Sequence, residues 1–368
     1  MKLARPVIAA ASALLYVAVL AGCSNAVSPG TAPSVDPADA KIGLLLPDSV
    51  TARYENADKP YFQAELTRLC PGCKLLYANA DGDASKQQQQ AESMLAQGVS
   101  VLVLDPFDSQ AAASIAAEAE TNGIPVISYD RLTDSEHLDY YISFDNEKVG
   151  RLQAQALVDK LAADDSGRGD HGILMLNGSP TDNNAVLFKK GAHSVIDKSG
   201  YRLLAEYDTP GWDPAKAQDW VTGQITQFGD RIDGIYAAND VLAGAAIASL
   251  KAADVSPLRP VIGQDAELAG VQRILAGDQY MTVYKAIQPE AEKAAQLAVA
   301  LTRSERPKGE STVRVAGADI PSFLLAVTPV RADNVEDTVV KDKFYGPDTV
   351  SKICSGDYKT ACAQHGIR

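Results

Sequence analysis

The stretch KIGLLLPD, residues 41–48, decides the fold class of this chain, because it is a short apolar run with no alternation of polar residues. The stretch HGILMLNGSP, residues 171–180, has the same character. Runs of this kind are typical of strands in parallel sheets, where helices cover both faces. The two runs therefore indicate two successive α/β blocks, each opening with a buried strand.

Outward from these runs, short β-rich segments alternate with longer amphipathic segments, the pattern of doubly wound parallel sheets. The predicted strands are Ile42–Leu46, Leu75–Asn79, Val101–Leu104, Val126–Tyr129, Gly172–Leu176, Arg202–Tyr207, Gly234–Ala237, Val261–Gly263 and Met281–Tyr284. The predicted helices are Tyr61–Leu69, Ala84–Gln97, Gln110–Asn122, Glu147–Ala163, Asn183–Lys198, Pro214–Phe228 and Ala243–Ala253. We interpret YYISFDNEKVG, residues 140–150, as the crossing between the two blocks.

The first 22 residues predict a signal peptide. Lys2 and Arg5 form a basic region, and residues 7–20 are apolar but too short for a comfortable membrane span. LAGC, residues 20–23, resembles the lipobox of bacterial lipoproteins, which predicts lipidation of Cys23; a plain signal anchor is the alternative. Residues 23–40 are rich in Ser, Pro, Gly and Ala and predict a flexible linker. We therefore expect an exported protein that is tethered to the outer face of a membrane.

The net charge of the chain bears on which partners it can bind. The formal net charge is −13, which argues against nucleic acid and anionic lipid as partners.

Besides Cys23, four cysteines remain, and in an exported chain they predict two disulfides with three possible pairings. Proximity favours Cys70–Cys73 and Cys354–Cys362. CPGC, residues 70–73, is also compatible with a redox pair, but it follows a helix where such a pair should open one.

Ligands of open parallel sheets bind outside the carboxyl ends of the strands, so the residues after each predicted strand form the candidate site. The stretch IPVISYDR, residues 124–131, is a clear case, because its apolar run breaks into Asp130 and Arg131. We expect Arg131 to keep Asp130 ionised, with a local salt bridge as the alternative. The candidate strand ends carry acids, bases, amides and aromatics: Arg53, Tyr54, Asp130, Arg131, Asp182, Asn184, Trp212, Asn239, Asp240, Asp265 and Lys285.

Some of these residues also have purely structural explanations. Asp240 is expected to cap the helix that follows it, and Trp212 can pack against the start of its own helix. Asp182 and Asn184 fit a turn or a cap, and Lys285 fits a surface charge. The mixture as a whole suits sugar hydroxyls, because carboxylates accept hydrogen bonds, cations and amides donate them, and flat aromatics cover C–H faces.

Several long motifs resemble the xylose-binding proteins of bacterial ABC sugar import, within the periplasmic sugar-binding proteins. The likeness extends from about Lys41 to about Tyr345. The motifs are YDRLTD (129–134), YYISFDNEKVGRLQAQALVD (140–159), GSPTDNNAVLF (178–188), AANDVLAGAAIASL (237–250), GQDAELAGVQRILAGDQYMTVYK (263–285) and VVKDKFY (339–345).

The resemblance implies a type I periplasmic-binding-protein fold, with two doubly wound domains, three crossings near Asp145, Lys285 and Ser322, and a ligand cleft between the domains. The implied lobes are residues 41–145 plus 286–321 and residues 146–285 plus 322–368. The implied sugar contacts are Arg53, Asp130, Arg131, Asp182, Asn184, Asn239, Asp265 and Lys285, with Trp212 stacking on the ring.

The identity of the sugar is less determined than the site. Xylose binders carry Trp where this chain has Tyr54, so the implied ligand is xylose or a related aldose such as glucose or galactose. We expect a monomeric, lipid-anchored receptor that presents this sugar to an ABC permease, with no cofactor. A sensory module coupled to a chemoreceptor or histidine kinase is the alternative.

An enzyme or a DNA-binding regulator fits the sequence poorly. No acid–base constellation is left unexplained by a binding role, so a glycosidase is not expected. The four histidines, His137, His171, His193 and His365, lack the spacing of a metal site. Repressors share the implied fold, but here the leader occupies the place of their DNA-binding helices.

Overall fold

The structure, a computed structural model, describes residues 39–164 and 169–367. The predicted signal peptide, Cys23 and most of the predicted linker lie outside these residues. Within the described ranges, none of the helices combines the length and the apolar character that a membrane crossing requires.

The described residues alternate between strands and helices along most of their length. The strands are β1 Lys41–Leu46, β2 Lys74–Asn79, β3 Val101–Leu104, β4 Val126–Tyr129, β5 Tyr140–Phe144, β6 Gly172–Asn177, β7 Arg202–Asp208, β8 Ile232–Ala237, β9 Val261–Ile262, β10 Thr282–Lys285, β11 Ser311–Val315, β12 Ala318–Leu325 and β13 Val327–Val330. The α-helices are α1 Lys59–Leu69, α2 Ala84–Ala96, α3 Ala113–Thr121, α4 Asn146–Ala163, α5 Asn183–Ile196, α6 Pro214–Phe228, α7 Asp240–Ala252, α8 Leu268–Ala276, α9 Ile287–Thr302, α10 Thr349–Ile353 and α11 Lys359–Gln364.

The first sheet has the strand order β11-β12-β5-β4-β3-β1-β2. Its pairings are parallel except for the antiparallel pair β11–β12 at one edge. Along β3, Val101 and Val103 belong to one apolar cluster, while Leu102 and Leu104 belong to another on the opposite face. Both faces are therefore covered, which is why a run such as VLVL is apolar at every position.

The second sheet has the order β7-β6-β8-β9 and is parallel throughout. A parallel bridge between Ile262 and Met281 brings β10 beside β9, and β10 also pairs antiparallel with β13. The predicted fold class of two parallel α/β sheets is thus confirmed.

The segment interpreted as a crossing between the sheets has its own secondary structure. Its first half is β5, which pairs with β4 in the first sheet, and its second half begins α4 after the N-cap Asp145. Ser322, near which a third crossing is predicted, lies within β12 and aligns with Tyr141 of β5. The residue boundaries of the two lobes stay a prediction.

Helices α4 and α5 touch through their backbones. A Cβ atom on Gly150 would lie 1.9 Å from the carbonyl oxygen of Phe188, and one on Gly191 would lie 2.0 Å from that of Glu147. No side chain fits at either glycine unless the helices separate, so both positions fix the distance between the helices. Behind them, Leu157 and Phe188 are buried in the core of the second sheet.

The structure contains both expected disulfides, Cys70–Cys73 and Cys354–Cys362, with Cα–Cα distances of 5.3 and 5.7 Å. The first lies between the end of α1 and the start of β2, as a local staple would. The second joins α10 to α11, and these helices pack near α8 in a cluster that includes Val271, Leu275 and Ile353.

The glycine contact yields a stability prediction with a matched control. Gly150→Ala should lower the free energy of unfolding by about 1–3 kcal/mol, because overpacking forces α4 and α5 apart. Gly223→Ala, in an exposed part of α6 where an added Cβ meets nothing within 4 Å, should raise it by about 0.5–1 kcal/mol. Urea denaturation of both variants tests this, and equal effects of the two substitutions would contradict it.

Candidate functional site

A small cavity lies where the carboxyl ends of strands from both sheets meet. All ten predicted binding residues line it: Arg53, Tyr54, Asp130, Arg131, Asp182, Asn184, Trp212, Asn239, Asp265 and Lys285. Thr51, Phe188 and Gln264 also line it and were not predicted.

Arg53 anchors the first-sheet side of the cavity from the turn between β1 and α1. Its Nε and Nη2 donate to the Asp58 carboxylate at 2.9 and 2.6 Å. Nη2 also donates to Glu290 at 2.8 Å, and Nη1 donates to Asp130 at 3.2 Å. The two-point contact with Asp58 fixes the plane of the guanidinium group, so its remaining donor capacity has a fixed direction.

Arg131 follows Asp130 at the end of β4 but bonds elsewhere. Its Nη2 donates to Asp48 and to the Tyr54 hydroxyl, both at 3.0 Å. Its Nε lies 3.1 Å from Asp182 at the start of α5, so this ion pair connects the two sheets. The alternative of a local Asp130–Arg131 salt bridge is therefore not what the structure shows.

Asp130 is held instead by cations that lie far from it in sequence. Its Oδ1 is 3.2 Å from Arg53 and 4.0 Å from Lys285. Burial alone would raise its pKa, but the charges of Arg53, Lys285 and Arg131, in that order, lower the pKa below its ordinary value. Arg131 thus helps to keep Asp130 ionised, as expected, but Arg53 and Lys285, which lie far away in sequence, contribute more.

On the second-sheet side, Asp182 is both a helix cap and a site residue. Its Oδ1 accepts from the backbone N–H of Asn184, and its Oδ2 accepts from Trp212 Nε1 at 3.0 Å. The Trp212 ring lies directly over Gly178, where a Cβ would come within 2.1 Å of it, and edge-on to Phe188. The structural and functional interpretations of Asp182 are therefore compatible.

The expectation that Asp240 caps the following helix is wrong. Asn239 is the N-cap of α7, since its Oδ1 accepts from Leu242 N at 2.9 Å. The Asp240 carboxylate points instead towards β10 and accepts from Gln279 and from the Thr282 hydroxyl. Of these two residues after β8, Asn239 therefore lines the cavity and Asp240 does not.

Lys285 and Asp265 close the cavity at the ends of β10 and β9. Lys285 Nζ lies 3.0 Å from Asp265 Oδ1, and Lys285 is only 2% exposed, so the surface-charge alternative is wrong. Burial would lower the pKa of Lys285, but the charges of Asp265 and Asp130 raise it above its ordinary value. The ammonium group therefore stays protonated inside the protein.

Sequence reasoning missed the buried acids behind the cavity: Asp48, Asp58, Asp105 and Glu290. Asp48 and Asp105 could have been found, because each closely follows a predicted strand. Glu290 lies on α9, and nothing local marks it. Burial raises the pKa of Asp105 and of Glu290 well above the ordinary value for a carboxyl group.

The resulting arrangement is a set of fixed donors and acceptors around a small space, with Tyr54 and Trp212 among its aromatic walls. Such a site suits a small neutral molecule with many hydroxyl groups. Among residues 39–164 and 169–367, no cluster of three His, Cys, Asp or Glu side chains has a metal-binding arrangement.

Comparisons with known proteins agree with this site. The chain is 38% identical to the D-xylose-binding periplasmic protein of Escherichia coli over 83% of this chain and 91% of that protein. It is 35% identical to the protein of the same name from Haemophilus influenzae, over 85% of this chain and 92% of that one. A solved ABC transporter solute-binding protein from Clostridium phytofermentans, with bound β-D-glucose, superposes with a TM-score of 0.76 at 26% identity, covering 84% of this chain and 99% of that chain.

These findings confirm the resemblance seen in the sequence motifs and the expectation that the chain is not an enzyme, because the relatives are binding proteins. The sequence model of the periplasmic binding protein domain matches residues 42–306, which is most of the chain. The chain therefore belongs to the periplasmic binding protein family.

Proposed function

We propose that this protein binds one monosaccharide outside the cytoplasm and delivers it to an ABC importer. The observation that carries the proposal is the small cavity between the two sheets, walled by buried charges, amides and aromatic rings. The names of the relatives, which include D-xylose-binding periplasmic proteins, support the same class of ligand.

The proposed contacts follow from the chemistry of each wall. Carboxylates such as Asp130, Asp182 and Asp265 accept hydrogen bonds from sugar hydroxyls. The donors are supplied by Arg53, Arg131, Asn184, Asn239 and Lys285. We further propose that Trp212 and Tyr54 cover faces of the sugar ring, because C–H groups are matched by flat apolar surfaces.

The proposed ligand is xylose or a related aldose such as glucose or galactose. Two observations support this range: the relatives named for D-xylose, and the structural neighbour that holds β-D-glucose. The Tyr54 hydroxyl is engaged by Arg131 at 3.0 Å, which holds this ring in one orientation against the cavity. The sensory alternative is favoured by none of these observations, and we do not propose it.

We propose that the receptor acts as a monomer held on the outer face of the membrane by a lipid on Cys23. The LAGC sequence at residues 20–23 and the small, polar composition of residues 24–40 support the anchor and its tether.

We also propose that the chain divides into two lobes, with crossings between them near Asp145, Lys285 and Ser322. The ion pair between Arg131 and Asp182, which joins the two sheets, supports binding between the lobes.

Removal of one acceptor tests the binding role. Asp265→Ala should weaken monosaccharide binding about tenfold to a hundredfold, because a buried hydrogen bond to a charged group contributes about 1.5–3 kcal/mol. Isothermal titration calorimetry with xylose, glucose and galactose measures this. Asp230→Ala, which removes a fully exposed acid, is the control and should bind like the parent. Parent-like binding of every sugar by Asp265→Ala would contradict the proposed role.

Arg131→Ala should affect both stability and binding. It leaves Asp48 and Asp182 buried without their counter-charge, which should cost about 3–5 kcal/mol in the free energy of unfolding. Its loss of sugar affinity should far exceed that of Arg303→Ala, an exposed control. Chemical denaturation and calorimetry of both variants provide the comparison, and equal values would refute the site assignment of Arg131.

The anchor is tested by Cys23→Ser. Because acylation requires the thiol, this variant should be released from the membrane fraction or should accumulate with its leader attached. Fractionation of cells followed by mass measurement of the protein distinguishes these forms. A Cys23→Ser protein that is processed normally and still partitions with membranes would show that the lipoprotein proposal is wrong.

A further inference from the structure

The turn after β9 carries two neighbouring polar side chains on a rigid backbone. Gly263 lies against the Asp240 carboxylate, where a Cβ would come within 2.1 Å of Oδ1. Asp240 N donates to the carbonyl oxygen of Gln264 at 3.0 Å, and Asp265 N donates to that of Val283 at 2.9 Å. Asp265 also adopts a positive φ of 92°. The side chains of Gln264 and Asp265 therefore start from fixed positions.

Gln264 is 2% exposed and lines the cavity. Its Nε2 donates to Asp265 Oδ2 at 2.9 Å, while Lys285 Nζ lies 3.0 Å from the other oxygen, Oδ1. Asp265 thus has a neutral donor on one side and a cation on the other, which together fix the rotation of its carboxylate. Gln264 is the neutral half of this support.

The carbonyl oxygen, Oε1, is the other polar atom of the Gln264 side chain. Its Oε1 is buried and accepts no hydrogen bond from the residues that the structure describes. A buried carbonyl oxygen without a donor destabilises the state that contains it, and a donor from a bound molecule removes this cost. Turning the amide over would bring its oxygen against the Asp265 carboxylate, so the observed orientation is the favourable one.

We propose that Gln264 is a further sugar-binding residue, which accepts one sugar hydroxyl through Oε1 and positions Asp265 through Nε2. This inference rests on the proposed function. It assigns selectivity to this corner of the cavity, because a sugar that lacks the hydroxyl facing Gln264 leaves the amide oxygen unpaired. A hydroxyl pointing elsewhere can be removed without this particular loss.

The test is a double-mutant cycle between the protein and the sugar. The parent and Gln264→Met are titrated by calorimetry with the monosaccharide that the parent binds best, and then with each of its monodeoxy derivatives. Gln264→Met, which keeps the approximate size but removes both polar groups, should bind the full sugar about tenfold more weakly. For one deoxy derivative the difference between the two proteins should shrink to about twofold or less.

Gln264→Glu separates positioning from simple packing. When its carboxyl is ionised, this variant cannot donate a hydrogen bond to Asp265 and should bind the sugar poorly. Its affinity relative to the parent should recover as the pH falls and this carboxyl takes up a proton, because a protonated carboxyl can donate again; burial beside Asp265 places that recovery at a higher pH than for an exposed glutamate. Gln153→Met removes a buried glutamine that bonds to Ala237 and Tyr236 outside the cavity, and it should leave the pattern among deoxy sugars unchanged.

The possible results distinguish the sugar contact of Gln264 from the proposed receptor function. If the parent binds and Gln264→Met weakens every sugar and deoxy sugar by one factor, the hydroxyl contact is overturned while the receptor function stands. Parent-like affinity of Gln264→Met for the full sugar would also overturn the inference. If the parent binds no monosaccharide, the proposed function is overturned, and the assignment of Gln264 is overturned with it.

Discussion

The burial of three cations, Arg53, Arg131 and Lys285, is the constraint on which the rest of the site depends. Removing an ion from water costs several kcal/mol, and this cost is offset only by close, well-oriented counter-charges. Arg53 finds them in Asp58 and Glu290, which come from different elements of the first-sheet region. The turn after β1, helix α9 and the end of β4 are therefore held at mutually fixed distances around the cavity.

Much of the fold and the cavity could be predicted because the relevant pattern is local. Continuous apolar runs mark strands that are buried on both faces, and parallel strands place their carboxyl ends at one edge. The residues after β1, β4, β6, β8, β9 and β10 consequently converge, although no single one of them identifies a site. Even the helix-capping interpretation of Asp182 proved compatible with its position in the cavity.

The remaining features depend on contacts that no local pattern contains. Arg53 and Glu290 are 237 positions apart, and nothing in the α9 sequence marks its acid as the partner of that arginine. Similarly, Asp130 and Arg131 are neighbours in the sequence, which suggested a salt bridge between them. Their ion-pair partners are instead residues that the tertiary structure brings close, such as Arg53 for Asp130 and Asp182 for Arg131. Asp130 has a φ of 51°, a conformation rare for a residue with a side chain, and sequence alone gives no reason to expect it.

Burial of the charged side chains has a further consequence for a protein exposed to a changing medium. Mobile ions screen charges at the surface over a Debye length of about 8 Å at 0.15 M ionic strength, but they screen buried pairs much less. Arg131, Asp182 and Lys285 are each 3% exposed or less. The ion pairs that organise the cavity therefore depend little on the salt concentration outside the protein. A change in that concentration should leave the arrangement of the cavity side chains unchanged.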